Sequence, residues 1–208
     1  MNAIPDRSAA VLFVALTAAA AGCMPAQRPV ETTPSNDASY ANAAYGVTLR
    51  YPADLTASRG FSSDYLLAQR WNPDAPADQA GQALLSLTLP ESNHLLDARL
   101  RLGASQSAQA VSDCVRATAA KAANANQPIP VTVGGEPFQR VDSGDAAMSH
   151  FLSRHSYRGV VHGRCYAIDL VVSGVRPEVY PDNPTPPMTQ DAAFQRLAAL
   201  LDGLSFSQ

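Results

Sequence analysis

The stretch from Met148 to Ser173 constrains the fold most, because it reads as a long two-stranded hairpin. Phe151, His155, Tyr157 and Val161 share one parity, the pair His162-Gly163 reverses the chain, and Arg164 to Val172 runs back. Alternate side chains of a strand point to opposite faces of a sheet. On the return strand Tyr166, Ile168, Leu170 and Val172 therefore make a wholly apolar face. Cys165, Ala167 and Val171 make the other, interrupted by Asp169. A strand apolar on both sides needs cover on both sides. A carboxylate in such surroundings needs a cation, and Arg99, Arg101 and Arg154 are available to Asp169. The expectation is a structural ion pair rather than a catalytic acid.

Further strands are expected on the same grounds. Val47, Leu49 and Tyr51 alternate with Thr48 and Arg50, and Tyr65, Leu67 and Trp71 recur in SDYLLAQRW. Leu85, Leu87 and Leu89 alternate before Pro90, and Ala98, Leu100 and Leu102 alternate with Arg99 and Arg101. Val131 and Val133 lead into a Gly134-Gly135 turn and a second run through Phe138. Turn residues between these runs make the pattern antiparallel. Asp142-Ser143-Gly144-Asp145 is read as another hairpin turn, since it lacks the acidic spacing and closing Glu of a calcium loop.

Two helices interrupt the strands. From Gln106 to Ala123, Val111, Cys114, Val115, Ala119 and Ala122 form one apolar stripe, with Ser105 or Ser107 able to cap its start. From Asp191 to Leu201, Phe194, Leu197, Ala198 and Leu201 form another, which Gly203 ends. That second helix is expected to cover the Tyr166–Val172 face, and Leu204 to Phe206 to add a short last strand.

The opening Tyr45-Gly46-Val47-Thr48-Leu49-Arg50-Tyr51-Pro52 resembles the start of the PsbP-like and DcrB-like families, in which a first strand leads through Tyr-Pro into a bulky residue. Leu55 departs from the Trp or Phe usual there. The ending Gly203-Leu204-Ser205-Phe206 resembles the PsbP-like tail. The resemblance implies an antiparallel sheet between helices.

The N-terminus sets the expected compartment. Ala9 to Gly22 carries no charge, and at about 14 residues it is shorter than the roughly 20 needed to span a bilayer as a helix. A short apolar run ending in small residues has the form of a secretory signal. Ala20-Ala21-Gly22-Cys23 resembles the lipobox of bacterial lipoproteins, with Ala20 where Leu is usual. Ordinary cleavage after Ala19-Ala20-Ala21 is the alternative. The lipobox resemblance implies a signal peptide over 1–22 and a diacylglycerol and an acyl chain on Cys23, enough chains to anchor stably. Met24 stands where Asp would mark inner-membrane retention, so the resemblance points to the outer membrane, facing the periplasm. Residues 23–42, carrying Pro25, Pro29 and Pro34 among polar residues, are read as a lipidated Cys and disordered tether. One globular domain then occupies 43–208.

Lipidation also balances an odd count. The chain has three cysteines, and an acylated Cys23 leaves Cys114 and Cys165 to pair as a disulfide in an oxidising compartment. That bond would lay the first helix on the Asp169-bearing face. The expected class is therefore α+β, an antiparallel β-sheet flanked by helices on both faces in three layers.

Several functions are excluded or disfavoured by composition. The net charge is −3 and Lys121 is the only lysine, so a nucleic-acid partner is not expected. His150 and His155 fall on opposite faces of one strand, while His94 and His162 lie elsewhere, so neither metal nor cofactor is expected. No Gly-x-Ser-x-Gly elbow occurs. The segment Gly174 to Gln190 is long for a connection and rich in proline, which makes Pro177, Tyr180, Pro181, Pro184 and Pro187 a candidate binding loop. The expected function is a non-enzymatic binding or accessory subunit, tied to the membrane by lipid and engaging a periplasmic or envelope protein. A periplasmic immunity lipoprotein that neutralises a secreted toxin, and a cell-envelope hydrolase with an unrecognised site, are the alternatives.

Overall fold

The computed structural model describes residues 36–62, 64–116 and 127–208. The chain divides into the units Met1–Ser35 and Asn36–Gln208. The first unit, with the signal segment, Cys23 and most of the expected tether, lies outside the described residues.

Seven strands form one antiparallel sheet: β3 Thr56–Ser58, β4 Gln82–Thr88, β5 Asp97–Ser105, β6 Ile129–Val133, β7 Glu136–Ala147, β8 His150–Val161 and β9 Arg164–Val175. Their order is β3-β4-β5-β9-β8-β7-β6. The apolar hairpin singled out by its sequence thus holds the centre, where both faces are farthest from solvent. His162 and Gly163 both take positive φ (48° and 74°), the conformation a two-residue turn needs to match strand twist. A smaller sheet joins β1 Asp37–Asn42, β2 Val47–Pro52 and β10 Leu204–Phe206 in the order β1-β2-β10.

The two faces of the large sheet are covered differently. Tyr166, Ile168, Leu170 and Val172 meet Ala98, Leu100, Leu102 and Ala104 of β5 on one face. Above them lie Val47 and Leu49 of the small sheet together with Ala193, Leu197 and Leu200. Ala193 and Leu197 belong to α2, Gln190–Ala199, which starts at the N-cap Thr189 and passes into a 3-10 turn over Leu200–Gly203. The last helix covers the face expected of it.

On the other face the described residues give less helical cover than the three-layer expectation. Its regular cover is α1, Ala108–Asp113, capped by Ser107. The remainder of the helix expected over 106–123 falls partly on 117–126, outside the described residues. Val115, expected on the buried stripe, is 39% exposed. Among the described residues most of the cover is irregular chain between β3 and β4, which includes 64–71 of SDYLLAQRW. That stretch is not the strand its alternation predicts. The carbonyl oxygens of Ala68 and Arg70 accept hydrogen bonds from Arg101 Nη2 (2.7 and 3.2 Å) instead of from a neighbouring strand. Trp71 is buried against the sheet at Gly103, where an added Cβ would collide with the Trp71 carbonyl oxygen.

Two other expectations are corrected. Asp37–Asn42, assigned to the tether, is strand β1, paired with β2 from Asp37↔Pro52 to Asn42↔Val47. Backbone pairing makes this edge strand, with only Ala38 and Tyr40 turned toward the core, so the hydrophobic signal is thin. Asp142–Asp145 is no turn. β7 runs straight through it, in register with His155, Arg154, Ser153 and Leu152 of β8. The turn falls at Met148-Ser149, whose φ values are 52° and 72°.

Candidate functional site

Two features hold the polar chemistry of this domain: a buried ion cluster under the irregular cover, and a surface groove on the opposite face.

The cluster forms around Asp169, which is 1% exposed. Arg158 Nη2 donates to Asp169 Oδ1 at 2.9 Å and to Asp74 Oδ2 at 3.0 Å. Arg154 Nη2 donates to Asp74 Oδ1 at 2.6 Å, and its Nη1 lies 3.8 Å from Asp169 Oδ1. Arg158 also donates to Asn72 Oδ1 and to the carbonyls of Tyr157 and Ile168. Arg101 faces Asp169 across β5 and β9 and lies under the Phe61 ring, its guanidinium carbon 4.0 Å from the centroid. Burial pushes the Asp169 carboxyl up, but the guanidiniums of Arg158, Arg154 and Arg101 outweigh it and hold it below its ordinary value. For Arg101 burial wins and brings the guanidinium down to about 10.

The expected ion pair of Asp169 is therefore present, with Arg158 as its first partner and Arg154 and Arg101 behind. Arg99 serves Asp97 and Asp64 instead. Arg158 was missed because Asp169 and Arg158 come together only when β8 and β9 pair: Ser156, not Arg158, stands directly opposite Asp169. Asp74 and Asn72 carry no local signal. The cluster ties the irregular cover to the sheet and is shut off from solvent.

Cys114 and Cys165 form a disulfide with Cα atoms 5.6 Å apart, joining the end of α1 to β9 on the same face. Cys165 packs there with Trp71, Ala75, Ala110 and Ala167. The bond and the cluster thus hold one cover at two places.

The groove lies on the α2 face. Its larger part, about 1440 Å³, is bounded by the tip of the β7–β8 hairpin, the segment after β9 and the start of α2. Leu95, Leu96, Phe151 and Met188 supply apolar lining. A shallower part of about 590 Å³ shares Gly144, Ser153 and Gln190 with it and continues to His155 and Phe194. Of the candidate loop, Pro177 lines the groove together with Glu178, Val179, Thr185 and Pro186. Tyr180, Pro181, Pro184 and Pro187 do not line it. Tyr180 instead meets the His94 ring edge-on, centroids 5.8 Å apart. The loop is held by a 3-10 turn at Pro177–Val179 and by Arg176 N–H donating to the Ser149 carbonyl at 2.9 Å.

Met148 is the feature of the groove that the sequence hides. It is 83% exposed at φ 52°, where a bulky side chain is strained. Reading Asp142–Asp145 as the turn diverts attention from it.

At the far end His155 stacks on Phe194, centroids 3.9 Å apart and planes 14° from parallel. Its Nε2 is 3.3 Å from Arg140 Nη2 and 3.8 Å from Asp142 Oδ2, while Arg140 holds Asp142 by two bonds of 2.7 Å. Burial lowers the imidazole pKa; Asp142 opposes this and Arg140 adds to it. The ring is then neutral at pH 7 and accepts from Arg140. The unfolded chain takes up this proton first as pH falls below about 6.5, so His155 contributes stability above that pH and loses it below. The expected result is an imidazole NMR titration midpoint under about 6.5 and an unfolding midpoint that declines over the same range. His155→Phe should flatten that decline.

Among the described residues, no helix is long and apolar enough to cross a membrane, and no group of His, Cys, Asp and Glu is placed to hold a metal ion. What stands is an antiparallel α+β domain with a disulfide-bonded, ion-locked cover on one face and an open groove on the other. No family model and no curated protein matches the sequence. Solved structures similar to it include two. One is LpqN of Mycobacterium tuberculosis, involved in cell envelope biogenesis, at 8% identity and a TM-score of 0.41 over 78% of this chain and 83% of that one. The other is the cyanobacterial PsbP (CyanoP) of Synechocystis sp. PCC 6803, at 8% identity and a TM-score of 0.43 over 88% of this chain and 99% of that one. Likeness at this level carries no functional argument.

Proposed function

We propose that this chain is a lipid-anchored protein of the bacterial envelope whose Asn36–Gln208 domain is a non-enzymatic binding module, docking a protein partner in the groove beside the β7–β8 tip. Met148 carries the reading. A strained, exposed methionine at a hairpin tip is unfavourable in the free domain, and an unbranched thioether adapts to an apolar partner. Val179, 49% exposed, lines the same groove. Asp169 is sealed in ion pairs, which weighs against its use as a catalytic acid. The anchor rests on the lipobox-like Ala20-Ala21-Gly22-Cys23, and outer-membrane placement on Met24 after it.

The test is photo-crosslinking in intact envelopes, with a photoreactive amino acid at Met148 or Val179 and a control at Ile129, which is 45% exposed on β6. One discrete protein adduct from 148 and 179, absent from 129, is the expected result. No adduct from either position, in chains that are folded and membrane-bound, would overturn the docking reading. A secreted toxin in the adduct would identify the immunity function. Cys23→Ser should release the protein from the membrane fraction, and retention would remove the anchor.

A further inference from the structure

We infer that the groove takes a cationic, apolar segment of a partner protein, one that places an aliphatic side chain against Met148 and Lys or Arg side chains on the rim. This rests on the docking reading above and specifies its ligand. The lining of the deeper part is aliphatic and aromatic at Leu95, Leu96, Phe151 and Met188, which selects an apolar side chain. The rim selects charge. Asp145 on the β7 side, Glu178 on the loop and Asp191 in the first turn of α2 are all exposed and line the two joined parts. None of the three is in an ion pair among the described residues. Arg176 is the one exposed arginine lining either part, so the rim is net acidic. An acidic partner or an anionic lipid surface would be repelled there, whereas cations gain from three carboxylates spread along a groove whose larger part has an apolar lining. The channel runs beside β8 from His150 to His155, about 17 Å at strand spacing, enough for an extended segment of several residues.

The probe is a fluorescein-labelled nonapeptide of alternating leucine and lysine, with a glutamate-for-lysine twin, titrated by anisotropy against the full mature chain. The lysine peptide is expected to bind at least about tenfold tighter than its twin. That preference should shrink as salt rises from about 0.1 M to about 1 M, where the screening length falls from about 10 Å to about 3 Å. The triple variant D145N/E178Q/D191N should bring the two peptides within about twofold. Met148→Gly should weaken the lysine peptide about fivefold without lowering the unfolding midpoint, because glycine is at ease at φ 52°. Equal binding of both peptides, or wild-type binding by both variants, overturns the inference. If crosslinking from Met148 captures a partner while the peptides do not discriminate, the docking reading stands and the charge assignment falls. If neither gives a signal, both fall.

Discussion

Replacing Arg158 with methionine is expected to lower the unfolding free energy by about 3–5 kcal/mol. Methionine keeps much of the length, so little volume is lost; what goes is the guanidinium that bridges Asp169 and Asp74. Both carboxylates stay buried, and Arg154, at 2.6 Å from Asp74 and 3.8 Å from Asp169, must answer for the two with only Arg101 behind Asp169. The pair substitution Arg158→Met/Asp169→Leu removes one charge of each sign and leaves Arg154 with Asp74, and Arg101 with the carbonyls of Ala68 and Arg70. It should recover most of the loss, since an apolar pair of similar size commonly replaces a buried ion pair at little cost. Urea denaturation of the three proteins makes the comparison. A single variant as stable as wild type would show that the cluster does not hold the cover.

Acid should act on the same group. The folded-state pKa of Asp169 lies below its unfolded value, so the unfolded chain binds this proton first as pH falls. The stability it contributes is complete above about pH 4 and is lost as pH drops further through the folded pKa. Arg158→Met/Asp169→Leu should be less steep in that range than wild type.

Loss of the Cys114–Cys165 bond is the second large effect. The residues are 51 apart, and cross-linking a loop of that size restricts the unfolded chain by about 4 kcal/mol in the chain-entropy account. The double variant Cys114→Ser/Cys165→Ser and the reduced wild-type protein should both show a loss of this order by denaturant titration. They should also resemble each other, since each frees α1 from β9. Trp71 and Ala75 pack against Cys165, so protease sensitivity should appear first in the cover between β3 and β4. Cleavage first elsewhere would separate the bond from that cover.

These two effects mark where local reading ends. The central hairpin was legible from Tyr166, Ile168, Leu170 and Val172, because a period of two survives any packing that buries one face. His162-Gly163 was legible because few residue pairs tolerate positive φ twice. The final helix and last short strand followed from a stripe and a glycine stop. The tertiary structure decided the rest, where the deciding partner is distant. Leu67 and Trp71 alternate like a strand, yet Arg101 takes the carbonyls a neighbouring strand would have used. Asp37–Asn42 is polar enough to read as tether, yet β2 supplies it with backbone partners. In the groove Pro177 was foreseen, but Met148 and the rim of Asp145, Glu178 and Asp191 were not. They come from three separate stretches and share no pattern until the hairpin, loop and helix converge.

By itself, then, the sequence determined the antiparallel central sheet, the helix on its apolar face and a buried ion pair at Asp169. Each depends on side-chain periodicity or on the cost of isolating one charge, and both are local properties. Only the tertiary structure decided that Arg158 and Asp74 neutralise Asp169, that irregular chain covers the second face, and that Met148 is left in solvent beside an acidic rim. Those outcomes depend on which distant segments the sheet register brings within hydrogen-bond reach, and register is a property of the whole fold.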